Sequence, residues 1–168
     1  PNVAKTIYQM TNAKKVLDTS CGWGDRLAGF FCSDAEEYIG CDPNPNTYKQ
    51  YLKQIETYNS FLSQPKKVTI YNCGAEDLPW DKIDNIDCAF TSPPYFSTER
   101  YNEGGEKEEN QSWFKFDEYS KWRDDFYLPV AKKSLERSKH MFVNIMDPNI
   151  KNKRYYSSCL LYTSPSPR

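Results

Sequence analysis

Five short apolar runs punctuate the chain, at residues 15–18, 38–41, 68–71, 86–90 and 140–145, and stretches of helical periodicity separate them. This alternation constrains the fold more than any other feature. Strands joined through helices run parallel, because a crossover must carry the chain back to the same end, and a parallel sheet needs cover on both faces. The expected class is α/β, a mostly parallel sheet with helices on both sides. Ligands bind beyond the carboxyl ends of such strands. Asp18, Asp42, the loop after Tyr71 and Ser92 all fall at expected strand ends. Four separate connections therefore converge on one edge.

In the first connection, Val16-Leu17-Asp18 runs through Thr19-Ser20-Cys21-Gly22-Trp23-Gly24 into a helix expected over 25–32. Glycine there permits positive φ and close backbone approach to a ligand, and a helix start offers free N–H groups to a carboxylate. The nicotinamide-binding Gly-x-Gly-x-x-Gly pattern is not met, since Leu27 stands at its third glycine. Asp42 closes the second strand about 20 residues after the glycine turn, where an acidic side chain can bond both hydroxyls of a ribose. It could equally open a turn with Pro43. Asn44 can cap the next helix with Pro45 at its first position, and Tyr48, Tyr51, Leu52, Ile55 and Tyr58 recur at helical spacing as a core stripe.

The fourth strand delivers Thr91-Ser92-Pro93-Pro94-Tyr95. Paired prolines hold the backbone rigidly, so their carbonyls become fixed acceptors. A planar exocyclic amine has a poor lone pair; acceptors at the Ser92 hydroxyl and the Pro93 carbonyl could localise it for attack on a methyl group. Tyr95 could then stack on a flipped base. A plain turn, or a polyproline ligand for a partner domain, is the alternative. Residues 97–116 turn polar, with Gly104-Gly105 and Glu106, Glu108 and Glu109, and read as a substrate lid or a solvated excursion. Their acidity argues against contact with phosphates. Residues 117–128 form an aromatic amphipathic helix that Pro129 kinks or divides before 130–137. The single histidine, His140, lies in the fifth strand, so no histidine triad or multi-histidine metal site can be built. Lys151, Lys153 and Arg154 form a short basic run, either solvated or touching a nucleic-acid backbone.

Taken together, Val16-Leu17-Asp18-Thr19-Ser20-Cys21-Gly22-Trp23-Gly24 and Thr91-Ser92-Pro93-Pro94-Tyr95 resemble the cofactor and catalytic motifs of the S-adenosylmethionine-dependent amino-methyltransferases of DNA. Those enzymes act on cytosine N4 or adenine N6. The resemblance covers about residues 15–148. It implies a Rossmann-like class I methyltransferase fold, S-adenosyl-L-methionine as cofactor, and direct methyl transfer to a flipped base of DNA. It also implies a catalytic set of Ser92, Pro93, Pro94 and Tyr95. The cofactor set it implies is Asp18, Cys21, Gly22, Gly24, Asp42 and Glu76, with Asp18 near the cofactor's amino-acid part and Glu76 or Asp77 near its adenine. Serine in the first motif position leans toward cytosine N4. Methylation of RNA or of a small amine by the same fold, and a non-catalytic subunit, are the alternatives. Cytosine carbon-5 methylation would want a nucleophilic Cys after a Pro, and no Pro-Cys pair occurs.

A chain of 168 residues with 15% aromatic side chains fits one globular domain, and its net charge of −1 supplies no global field for nucleic acid. The cysteines show no Cys-x-x-Cys spacing, which points to free thiols, no metal site and an intracellular protein; no apolar run is long enough to span a bilayer, so a cytoplasmic location without a membrane partner is expected. The last ten residues, 159–168, can be encoded by a stretch resembling a synthetic adapter of shotgun sequencing libraries. The expected organisation is a catalytic domain over 1–158, incomplete at both ends and lacking the two strands that follow the fifth in the family, with an adapter-derived tail.

Overall fold

The computed structural model describes residues 1–150 and 152–163. Its centre is a sheet of β1 (Lys15–Asp18), β2 (Glu37–Cys41), β3 (Lys67–Tyr71), β4 (Ile86–Thr91) and β5 (Ser138–Val143), all parallel and in the order β3-β2-β1-β4-β5. The chain builds outward from β1 on one side, then crosses back to place β4 on the other. The carboxyl ends of β1 and β4 thus flank the point where winding reverses, which is where such sheets open a crevice. β1 lies in the middle, and Val16 and Leu17 are fully buried, one on each face.

Around the sheet lie α1 (Asn2–Met10), α2 (Asp25–Phe31) and α3 (Pro45–Ser60), with Asn44 capping α3 by accepting from the Asn46 and Thr47 N–H groups. Val16, Tyr38, Cys88 and Phe90 pack with Phe30, Tyr51 and Tyr8 in one core. Leu17, Ile39 and Ala89 pack with Trp80, Trp122 and Phe126 in the other. Helix α1 was not foreseen. It sits on α2 through Gly29, where a Cβ would come within 2.6 Å of both the Ala4 methyl and the Pro1 carbonyl.

The second half of the chain departs from expectation in three places. A short helix α4 (Ser112–Lys115) forms at the end of the polar excursion, and the helix expected over 117–128 is instead α5 (Tyr119–Lys121) and a π-helical segment Trp122–Tyr127, which leads into α6 (Leu128–Arg137). Pro129 supplies no N–H and its ring crowds the carbonyl one turn earlier, so the disturbance falls just upstream as a widened turn rather than as a break. β5 begins at Ser138 and ends at Val143, not 145. Its one partner, β4, runs out at Thr91, whose carbonyl takes the Asn144 N–H at 2.9 Å before the prolines end pairing. No further strand joins the sheet among the described residues. The chain forms a hairpin of β6 (Asn149–Ile150) and β7 (Lys153–Arg154), then α7 (Ser157–Thr163). Lys151 of the basic run and residues 164–168 of the expected tail lie outside the described residues.

Asp87 fastens the opposite end of the sheet. Its Oδ2 accepts the N–H groups of Lys14 and Lys15 at 2.9 Å each, and Oδ1 accepts Lys139 Nζ at 2.7 Å, joining β4 to both neighbours. Burial alone would push its carboxyl up, but the Lys139 ammonium and the two N–H groups outweigh it and hold the carboxyl below the usual range. With a lowered folded pKa, the stability Asp87 gives is whole above the ordinary aspartate range and lost as pH falls through the lowered value. Asp87→Ala is expected to cost about 1–2 kcal/mol at neutral pH, and the gap from the parent protein, followed by urea unfolding, should close below pH ~4.

Candidate active site

Asp18 ends β1 fully buried. Arg26 Nε donates to its Oδ2 at 2.8 Å, the Tyr38 hydroxyl donates to the same oxygen at 2.6 Å, and the Ser20 N–H reaches Oδ1 at 3.1 Å. Arg26, from the first turn of α2, also donates to the Ser20 carbonyl and lies over the Phe90 ring. Burial works against its charge, but the adjacent carboxylate wins and raises its pKa. Asp18 therefore stands behind the wall of the crevice and shapes the turn 19–24 from within, while Arg26 itself reaches the crevice surface.

Gly22 and Gly24 both have positive φ, 58° and 84°. They serve different ends. Gly22 lines the crevice and its N–H donates to Asp42 Oδ2 at 3.1 Å. Gly24 lies off the crevice as the N-cap of α2, and a Cβ there would meet Gln54 Oε1 at 2.4 Å. Cys21 contributes to the wall, but its buried thiol lies 3.6 Å from the Tyr38 hydroxyl, and burial pushes its pKa well up. Trp23, at the rim, is 81% exposed.

Asp42 faces the crevice. Its Oδ2 accepts Gly22 N–H and the Tyr51 hydroxyl, both at 3.1 Å, and Oδ1 accepts the Asn44 N–H at 2.9 Å. Burial raises its pKa against the opposing pull of those donors. Tyr51, expected to be core alone, is buried in the core yet also shares its one hydroxyl hydrogen between Asp42 and the Gly22 carbonyl. Leu52, from the same expected stripe, is 50% exposed.

After β3 the chain turns through Gly74 and a 3-10 turn, Ala75–Asp77. Glu76 Oε1 receives Lys115 Nζ at 2.6 Å, and the same ammonium reaches Asp77 Oδ2 at 2.9 Å. Among the described residues Glu76 Oε2 is buried without a hydrogen-bond partner, under the bare face of Gly74, and Glu76 lines the crevice.

The loop after β4 closes the other side. Thr91 Oγ1 and Thr19 Oγ1 lie 3.0 Å apart, a buried bond linking the two connections at the point where winding reverses. The Ser92 and Tyr95 hydroxyls pair at 2.8 Å. The Phe96 N–H takes the Pro94 carbonyl at 2.9 Å, which leaves the Pro93 carbonyl without an N–H partner among the described residues. Phe96 holds a left-handed φ of 53°, unfavourable for a bulky residue, and is fixed by burial against Tyr119 and Trp122 at ring distances of 5.6 and 6.0 Å.

These walls enclose one cavity of about 270 Å³, lined from the expected sites by Ser92, Pro93, Pro94, Tyr95, Cys21, Gly22, Asp42 and Glu76. Its remaining wall comes from the polar excursion through Tyr101, Asn102, Asn110, Gln111 and Ser112, with Phe126 of the π segment. Arg26, Tyr51, Lys115 and Gln111 were missed in the sequence. For Lys115 and Gln111 the polarity of residues 97–116 was the one advance signal. Among the described residues no group of three His, Cys, Asp or Glu side chains is placed to hold a metal ion, and no helix is long and apolar enough to cross a membrane.

No family model and no curated protein matches this chain. Solved structures match in shape. An rRNA methylase from Streptococcus thermophilus superposes with a TM-score of 0.58 over 95% of this chain and 75% of its own, at 11% identity. The N-terminal domain of EvdMO1 with SAH bound gives 0.53 over 84% of this chain and 47% of its own, at 10% identity. The likeness is one of fold, and together with the strand order it identifies a Rossmann-like class I methyltransferase fold.

The left-handed Phe96 reverses a usual order of stability. Phe96→Ala is expected to cost about 3–4 kcal/mol for the lost ring, whereas Phe96→Gly should be the more stable of the two by about 1 kcal/mol, because alanine keeps the backbone penalty that glycine lacks. Urea unfolding of the pair checks this.

Proposed function

We propose that the protein transfers a methyl group from S-adenosylmethionine to the exocyclic amino group of a nucleobase in DNA, with cytosine N4 as the preferred position. One observation carries the reading: the rigid Ser92–Tyr95 hydroxyl pair and the Asp42 carboxylate line a single cavity. The residues present fit the cofactor. Glu76 Oε2, buried and unpartnered, suits the adenine amino group. Asp42 has three donors for roughly four acceptor positions, which leaves room for a ribose hydroxyl. The left-handed Gly22 lets the backbone lie close to the ligand.

When bound, S-adenosylmethionine supplies an activated methyl group on a sulfonium. The chain supplies position. Ser92 Oγ and the Pro93 carbonyl accept the two N–H bonds of the amine and draw its lone pair out of conjugation with the ring. When Ser92 donates to Tyr95, its own hydrogen is spent and its lone pairs are left for the amine. The methylated amine then carries one proton too many and passes it along the paired hydroxyls to bulk water, which the half-buried Tyr95 reaches. Thr19–Thr91 keeps the two halves of the site in register, and the excursion excludes water. Catalysis of this kind rests on alignment, so a small displacement is costly. The serine of the motif, rather than an acidic residue, supports the lean to cytosine N4, as the resemblance implies.

The test is transfer of labelled methyl to duplex DNA, single-stranded DNA and RNA, with the product base identified. Label on cytosine N4 of DNA is expected. Ser92→Ala should lower transfer about 100-fold with S-adenosylhomocysteine affinity changed less than twofold, while Asp42→Ala should weaken that affinity about tenfold. Label confined to RNA would overturn the DNA assignment, and transfer indifferent to Ser92 would overturn the catalytic one.

A further inference from the structure

Gln111 holds the N-cap position of α4, yet its side chain makes no capping bond. Its backbone is fully engaged: the N–H donates to the Glu108 carbonyl at 2.9 Å, and its carbonyl accepts from Phe114 and Lys115 at 3.1 and 3.0 Å. The side chain is instead turned inward. Gln111 is 6% exposed, lines the same cavity as Ser92 and Tyr95, and its Nε2 is buried without a hydrogen-bond partner among the described residues. A buried amide donor left unpaired costs free energy, and one set in a cavity wall is positioned to meet a ligand acceptor.

Resting on the reading of function above, we propose that Gln111 reads the target base, donating from its amide to the ring acceptors beside the amino group that is methylated. Cytosine presents N3 and O2 on that edge, two adjacent acceptors for one NH₂ group. Adenine presents N1 followed by a C–H, so it satisfies the amide less well. Thymine presents an N–H at its position 3, which opposes a donor and leaves both groups unpaired. Gln111 thus adds selection for the base to the amine-holding role of Ser92 and Pro93. It also explains why the excursion folds back over the cavity: the excursion carries the recognition edge of the site.

The experiment compares the protein with its Gln111→Glu and Gln111→Ala variants, measuring labelled methyl transfer to cytosine-containing DNA and S-adenosylhomocysteine binding by calorimetry. Both variants should lose about 10- to 100-fold in kcat/KM for DNA, with S-adenosylhomocysteine affinity within about twofold of the parent, which also reports an intact fold. Gln111→Glu should recover relative to the parent as the pH falls, because its protonated carboxyl regains a donor, whereas Gln111→Ala should not. Parent-like transfer by Gln111→Glu at neutral pH, or a parallel loss of S-adenosylhomocysteine affinity, overturns the role of Gln111 while the proposed function stands. A parent protein that binds S-adenosylhomocysteine and labels no nucleic acid overturns both.

Discussion

Asp18 is a carboxylate with no access to water, and the geometry of the cavity depends on how it is kept bonded. A charge in that position is tolerable only beside a partner, and Arg26 provides one with a side chain that is itself only 15% exposed. Removing one member of such a pair costs roughly 3–5 kcal/mol, because the other is left buried and unpaired. The pair does more than stabilise. Arg26 and the Ser20 N–H tie the chain on both sides of the turn to the end of β1, so the turn has one shape available to it.

From that fixed turn the rest of the site follows by contact. Gly22, held in place, gives its N–H to Asp42 at the end of β2, and Tyr51 closes the triangle from α3. Thr19 reaches across to Thr91 at the end of β4 and sets where the proline loop begins. The loop is then stiff by its own chemistry, with two prolines fixing φ and Phe96 driven into the core at the cost of a left-handed backbone. Rigid elements of this kind can hold a reacting amine without any group of unusual acidity. Lys115 brings the polar excursion to Glu76, 39 residues away in the chain, so that wall of the cavity is anchored to the connection after β3.

Much of this was legible in the chain itself, for a physical reason. Strand ends in a parallel sheet collect at one edge, and Asp42 and Ser92 could be placed there from apolar runs alone. The partners of those residues were not legible. Periodicity put Tyr51 in the core correctly but says nothing about where its hydroxyl points. Asp18 was expected near the ligand, and local sequence could not reveal that Arg26, eight residues on, would draw it inward. Lys115 and Gln111 sit in a stretch with no regular pattern, and their roles arise only once the excursion folds back. A kink or a division of the helix at Pro129 was anticipated, since the missing N–H is a local fact, whereas the π-helical shape of the response depends on packing. Helix α1 escaped notice although its packing on Gly29 is close.

The central claim is that a donor pocket and an amine-holding turn share one cavity, and a crystal structure of the protein with S-adenosylhomocysteine tests it most directly. The ribose is expected on Asp42, the adenine amino group within about 3 Å of Glu76 Oε2, and the sulfur facing the Ser92–Tyr95 pair. A ligand bound elsewhere, or one whose sulfur points away from Ser92, would contradict it.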